Sequence, residues 1–262
     1  MNIYLMVDME GISGIYSSEQ VDIEKGTRYQ EGRALMTREV NECVEGLKDA
    51  GVDKVYVRDC HGQGCNIIWD QLSEQADCYF IGDSGTTRYP GIEECDGVIL
   101  LGYHAMAGTP GAILEHTMSG ESVQNYWVNG KRVGETGIDA GIAGDLGKPI
   151  MMVSGDDKLC AEAQALMPSV VTAEVKKGMS LSGGRLLPPA RAYALLREKI
   201  AEAVDRLPEM KSLNFDKPIH LRVECVERCP SPSAYSKPYM TIIDGRTYEV
   251  EGATMEEALF RL

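Results

Sequence analysis

The chain has 262 residues, 44% of them hydrophobic and 25% charged, with a formal net charge of -14. This is ordinary globular usage, enough chain for one large domain or two modest ones. The acidic balance, the lack of a basic stripe and apolar runs too short to cross a bilayer argue against nucleic acid and membrane as partners.

In chain order, NIYLMVD reads as a buried strand that stops at Asp8, with Glu10 two residues later. Tyr29 to Ala50 carries helical spacing through Leu35, Met36, Val40, Cys43, Val44 and Leu47, and Gly51 stops it. VDKVYVRD is a second strand and DGVILLGYH a third, whose continuous apolar run suggests burial on both faces. NYWVNGKRVGE places Asn-Gly between two apolar-flanked runs, a hairpin signal. TGIDAGIAGDLG reads as a small-residue helix, KPIMMVSGDD as another buried strand and KLCAEAQALM as another helix. Strand and helix in alternation predict an α/β fold with a mainly parallel, helix-covered sheet.

The pattern changes after about residue 170. SGGRLLPPAR looks like a loop, and Lys176, Lys177 and Arg185 near it read as solvated charges rather than as a clamp for a peptide carboxylate. PARAYALLREKIAEAVDRL is a long amphipathic helix, IHLRVECVE alternates as a half-buried or edge strand, CPSPSAYSKPY is turn-rich, and a short strand and helix close the chain. The expectation is a catalytic α/β lobe over residues 1–170 and a smaller, closely packed α+β lobe over 171–262. The 8 cysteines are scattered without a Cys-x-x-Cys pair or a signal peptide, which suits a reduced, cytoplasmic protein. Cys225 and Cys229 read as isolated thiols, since no second pair completes a metal site.

Chemistry-bearing residues gather at the ends of the apolar strands. The first ends Asp8-Met9-Glu10, the second Asp59-Cys60-His61 and the third at His104. In open parallel sheets, ligands bind outside the carboxyl ends of the strands. Residues two apart point the same way, so each pair can share a target. Glu135 follows the hairpin at the start of the small-residue helix, where an acid also complements the helix dipole. Asp8, Glu10 and Glu135 would repel one another if crowded without cations. Two divalent ions would offset that charge, and with one bridging carboxylate the three acids plus His61 and His104 suffice for both. Mixed nitrogen and oxygen donors suit zinc. Asp59 exceeds this ligand count and is expected to sit behind it, orienting an imidazole. Cys60 alternates to the opposite face. His116 is open on the residues alone: ligand, structural residue or catalyst. His220, inside the alternating strand, reads as structural.

The segments VDMEGISG, RDCHG, LLGYHAMAGTPG, EHTMSG, NGKRVGETG and MVSGDD, in this order, resemble the zinc D-aminopeptidases linked to dipeptide-permease operons. The resemblance spans about residues 1–190. It implies two zinc ions, with Asp8 bridging both, Glu10 and His104 completing one shell and His61 and Glu135 the other, and it places the catalytic histidine at His116. It further implies release of N-terminal D-residues such as D-Ala from short peptides and amides, and a homo-decameric double ring. The alternatives are another metal-dependent amidohydrolase or phosphoesterase, or a non-catalytic metal- or peptide-binding protein.

Overall fold

The computed structural model describes residues 1–228 and 237–262. Cys229 and most of the turn-rich segment around it lie outside the described residues. In chain order the elements are β1 (Asn2–Val7), α1 (Tyr29–Asp49), β2 (Lys54–Asp59), β3 (Cys78–Phe80), β4 (Gly97–Leu101), β5 (Val123–Val128), β6 (Lys131–Val133), α2 (Glu135–Asp145), β7 (Ile150–Asp156), α3 (Asp157–Leu166), β8 (Val171–Ser180), β9 (Gly183–Leu186), α4 (Pro189–Arg206), β10 (Ile219–Cys225), β11 (Met240–Ile242), β12 (Thr247–Gly252) and α5 (Met255–Phe260).

The first sheet runs β3-β2-β1-β4-β7-β8-β9, parallel except for the β8–β9 hairpin at its edge. Both of its faces are covered, which is why β1 from Ile3 onward and all of β4 are buried and carry no charged residue. Ile3, Leu5 and Val7 pack with α1 and α4, through Met36, Val40, Leu47, Leu196 and Ile200. Tyr4 and Met6 belong to a second core that joins α2, α3 and the inner face of the second sheet. Each large side chain so buried contributes about 1.5–3 kcal/mol. Arg197 on α4 ties the two outer helices together by reaching Glu42, Glu45 and Asp49 on α1.

The second sheet is antiparallel, in the order β11-β12-β10-β5-β6. β10 alternates buried and half-buried positions, with Ile219, Leu221, Val223 and Cys225 facing the core. It is a central strand with one covered face. The Asn-Gly hairpin forms as expected, with Asn129 and Gly130 both at positive φ, but it pairs with β10 rather than with the parallel sheet. SGGRLLPPAR, expected as loop, contributes β9, and Lys176 and Lys177, expected near that loop, lie on β8. The expected boundary at residue 170 therefore falls just before a strand of the first sheet, and the second sheet takes strands from both sides of it.

The strand order sets the position of the ligand crevice. From β1 the chain moves to β2 on one side, then returns to β4 on the other. A doubly wound sheet opens a crevice at such a reversal. The loops leaving β1 and β4 meet there: the Gly11 amide donates to Gly102 O at 2.7 Å. A methyl on Gly11 would sit 1.8 Å from Tyr103 O, and Gly102 holds φ +71°. These two glycines allow the loops to touch.

Gly11→Ala is thus expected to destabilise the fold by about 1–3 kcal/mol or more, because backbone rather than a pliable side chain blocks the methyl. A denaturant midpoint equal to that of the wild type would show that the contact is not needed.

Candidate metal centre

β2, β1 and β4 are neighbours in the sheet, so the residues just beyond their carboxyl ends lie side by side. Asp8 follows β1, His61 follows β2 and His104 follows β4; Glu135 is the first residue of α2. His116 lies in the long loop between β4 and β5, not at a strand end. All five converge. His61 Nδ1 is 3.0 Å from Asp8 Oδ1 and 3.1 Å from Glu10 Oε2. His104 Nε2 is 3.4 Å from Asp8 Oδ2 and 3.2 Å from Glu135 Oε1. His116 Nε2 is 3.7 Å from Glu135 Oε1, and its ring stacks on His104 with centroids 4.0 Å apart. Asp8, Glu10, His104 and Glu135 are buried.

The other nitrogen of each imidazole is held by a backbone carbonyl: His61 Nε2 on Val21 O at 2.9 Å, His104 Nδ1 on Ala105 O at 3.1 Å and His116 Nδ1 on Leu114 O at 2.9 Å. A carbonyl only accepts, so the proton sits on the held nitrogen. In a neutral imidazole the inward nitrogen then carries a lone pair. It faces ionised carboxylates, which also only accept. Acceptor thus meets acceptor, and something positive must lie between them. Two of the inward atoms, His104 Nε2 and Glu10 Oε2, are buried without a hydrogen-bond donor or acceptor.

The electrostatics agree. Burial works against an imidazolium at His61, but Glu10 and Asp8 outweigh it and raise the pKa well above its ordinary value. Burial likewise opposes charge on His104, and Glu135 and Asp8 overcome it. Burial pushes the Asp8 and Glu135 carboxyls up, yet the imidazoles pull both down, Glu135 to about 2. The pocket selects for cations. Among the described residues, two donor groups are compact enough to hold an ion: Asp8 with Glu10 and His104, and His104 with His116 and Glu135. The donors are nitrogen and carboxylate oxygen with no thiolate, a set that fits zinc.

The backbone around the cluster is braced by Asp59, expected behind the ligands, and by residues the sequence did not reveal. Asp59 is fully buried, but its carboxylate is taken up by Asn66 N, Asn66 Nδ2 and Ile67 N. Asn66 in turn donates to His61 O at 2.7 Å and accepts from the Tyr29 hydroxyl. Asp59 therefore shapes the loop that carries His61, whereas the imidazole itself is oriented by Val21 O. Lys176, expected as a solvated charge, is buried on β8. Its ammonium donates to the carbonyls of Glu10, Ile12 and Ile15, and burial lowers its pKa to about 8. Glu39 on α1 holds the same loop through Ser13 N and Oγ, and burial raises its carboxyl to about 7. His116 sits between Leu114 at φ +53° and Met118 at φ +64°. Left-handed backbone at two non-glycines is strain that the surrounding contacts must hold. Met118 N supplies one such contact, on Glu135 Oε1 at 2.7 Å. His220 pairs with Glu249 across the second sheet, away from the cluster.

The sequence model of the D-aminopeptidase family of peptidases matches residues 1–262. A D-aminopeptidase of Bacillus subtilis (strain 168) is 38% identical over 221 residues, 84% of this chain and 80% of that protein. The solved structure of the zinc-dependent D-aminopeptidase DppA from Bacillus subtilis, described as a self-compartmentalizing protease, superposes with a TM-score of 0.91 at 34% identity, covering 98% of this chain and 94% of that one.

The raised imidazole pKa values fix a sign for the metal-free protein. Their contribution to stability is complete below the ordinary imidazole value of about 6.5 and is lost as pH rises through the raised values. The lowered carboxyl pKa values act only in acid, well below that window. Chelated protein should therefore melt at a lower temperature near pH 9 than near pH 6. Protein loaded with a divalent metal should show the opposite slope, since deprotonated ligands bind metal more tightly. Parallel pH slopes with and without chelator would remove the cation site.

Proposed function

The chain belongs to the D-aminopeptidase family, and from that membership we propose a dinuclear zinc enzyme that releases N-terminal D-residues of the D-Ala type from short peptides or amides. The observation that supports it most directly is the meeting of bare imidazole nitrogens and acceptor-only carboxylates, which calls for metal between them. Asp8 would bridge two ions, Glu10 and His104 would complete one shell, and His61 and Glu135 the other. Bound there, the ions supply Lewis acidity toward a peptide carbonyl and toward water.

The chain's own residues do the rest. A cavity of about 560 Å³ lined by Glu10, His61 and His116 is the right size for a short peptide. Asp22, Glu24, Glu115 and Glu121 make its rim acidic, against the single ammonium of Lys25. That field favours the free α-ammonium an aminopeptidase must accept. His116 is the catalytic residue of this reading. With Nδ1 tied to Leu114 O, its Nε2 is free to take a proton or deliver it to the departing amine, or to act as nucleophile. Asp59 positions the loop of His61.

The assembly proposed is a homo-decamer, supported by the self-compartmentalizing relative. The proposed location is the cytoplasm: no disulfide joins the described cysteines. Among the described residues, no helix is long and apolar enough to cross a membrane.

Turnover of D-Ala-para-nitroanilide should far exceed that of the L isomer, and elemental analysis should find about two divalent ions per chain. Equal turnover of the isomers, or one ion at full activity, would reject the corresponding part. The histidines separate ligand from catalyst. His104→Ala should lose metal and activity together. His116→Ala should keep its metal yet lose turnover by about 10²–10⁴-fold, the usual worth of acid–base help. If His116→Ala sheds metal as His104→Ala does, then His116 is a ligand, as its proximity to His104 and Glu135 would then explain.

A further inference from the structure

A second large cavity, about 780 Å³, opens beyond the ends of β2 and β3. His61 and Ser119 line the first cavity, while their neighbours Gly62 and Met118 line this one. The two therefore stand back to back across those segments. Arg58 immediately precedes Asp59, so its side chain leaves β2 on the opposite face from the loop brace.

The Arg58 guanidinium is buried in the wall of this cavity. Its two terminal nitrogens donate to Gly82 O at 2.7 Å and to Ser84 Oγ at 3.1 Å. These are neutral acceptors and leave its charge uncancelled. Nε is buried and has no partner. The other arginine in the wall, Arg88, is already neutralised by Asp139. Among the described residues no carboxylate pairs with Arg58, and residues 229–236 contain no Asp or Glu. A buried guanidinium without a counter-charge is costly, and the open cavity beside it is where a counter-charge can come from.

We propose that this cavity binds a small organic carboxylate on Arg58. A monoanion is favoured over a dianion, because Asp83 also lines the wall and would repel the second charge. Asp83 Oδ1 accepts from Gly85 N beside the site. An organic body is favoured over a bare ion, because the volume is large and Met118, Tyr126 and Phe260 offer apolar surface. The anion site does not rest on the metal chemistry: Arg58 touches none of the cluster residues, and the direct link between the two sites is Met118, whose N–H donates to Glu135 Oε1.

The test is calorimetric titration of the full-length, zinc-loaded protein with N-acetyl-D-alanine, which lacks the free amine of a substrate, and in parallel with inorganic phosphate. N-acetyl-D-alanine should bind saturably. Arg58→Met should weaken it about tenfold or more, the loss of one charge-assisted hydrogen bond, while Arg58→Lys should retain more of the affinity. Phe260→Glu adds a carboxylate at the mouth and leaves the Arg58 tethers intact. It should weaken binding too, and decides the matter should Arg58→Met fail to fold. No saturable binding overturns the site. Affinity unchanged in both Arg58→Met and Phe260→Glu places the anion elsewhere and overturns it equally. Binding of phosphate in preference to the carboxylate overturns the ligand class.

Discussion

The constraint on which the structure depends is a mismatch of hydrogen-bond roles. Three imidazoles are fixed by backbone carbonyls so that a lone pair points inward, and three carboxylates point at the same space. Neither group can donate. In water the conflict would vanish by rotation of the side chains, but here the carboxylates and His104 are buried, His61 and His116 are half-buried, and the rings are held. A proton resolves it one site at a time, and a divalent cation resolves it for several donors at once. The same arrangement explains why the Asp8 and Glu135 carboxyls are driven down and the His61 and His104 imidazoles up.

Holding such a cluster requires the backbone to be immobile, and the bracing is built from groups that are themselves costly to bury. Lys176 is a buried ammonium that donates to three carbonyls, and Glu39 a buried carboxyl that accepts from the same loop. Each is tolerable because it satisfies backbone groups that would otherwise be orphaned where the loop turns inward after β1. The His61 loop is held by an anion in the same way: Asp59 gathers backbone N–H groups and Asn66, and Asn66 passes the restraint to His61 O. Thus the proposed ligands extend from braced strand ends, while the bracing charges sit one layer behind.

Much of this was legible in the sequence. The strands that end in Asp8, His61 and His104 carry continuous apolar runs, and a parallel sheet places their ends together whatever the details. The helix spacing from Tyr29 onward ends within a residue of the observed α1. What the sequence pattern does not show is hidden for physical reasons. β8 contains Glu174, Lys176 and Lys177, which look like a solvated segment, yet Lys176 is buried because its acceptors come from residues 10–15, far away in the chain. His116 could not be placed, because its loop is shaped by left-handed backbone at Leu114 and Met118, residues with no propensity for it. The hairpin was recognised, but its partner strand lies nearly a hundred residues later, and local pattern says nothing about such pairing.

The position of Arg58 follows from the same geometry that makes the metal cluster. A strand buried on both faces must send alternate side chains into two different interiors. At the end of β2 one of them is Asp59, on the side where backbone N–H groups await an anion. The other is Arg58, on the side of the second sheet, where Gly82 O and Ser84 Oγ await a donor. Each side chain organises a loop, and the two loops flank His61 and the neighbouring Gly62. The two charges differ in how far the chain satisfies them. Asp59 has both oxygens occupied by donors from its own loop, so its side of the strand is closed. Arg58 keeps an unpartnered, buried Nε and an uncancelled charge in the wall of an open volume. The end of β2 therefore joins a completed brace on one face to an incomplete polar site on the other.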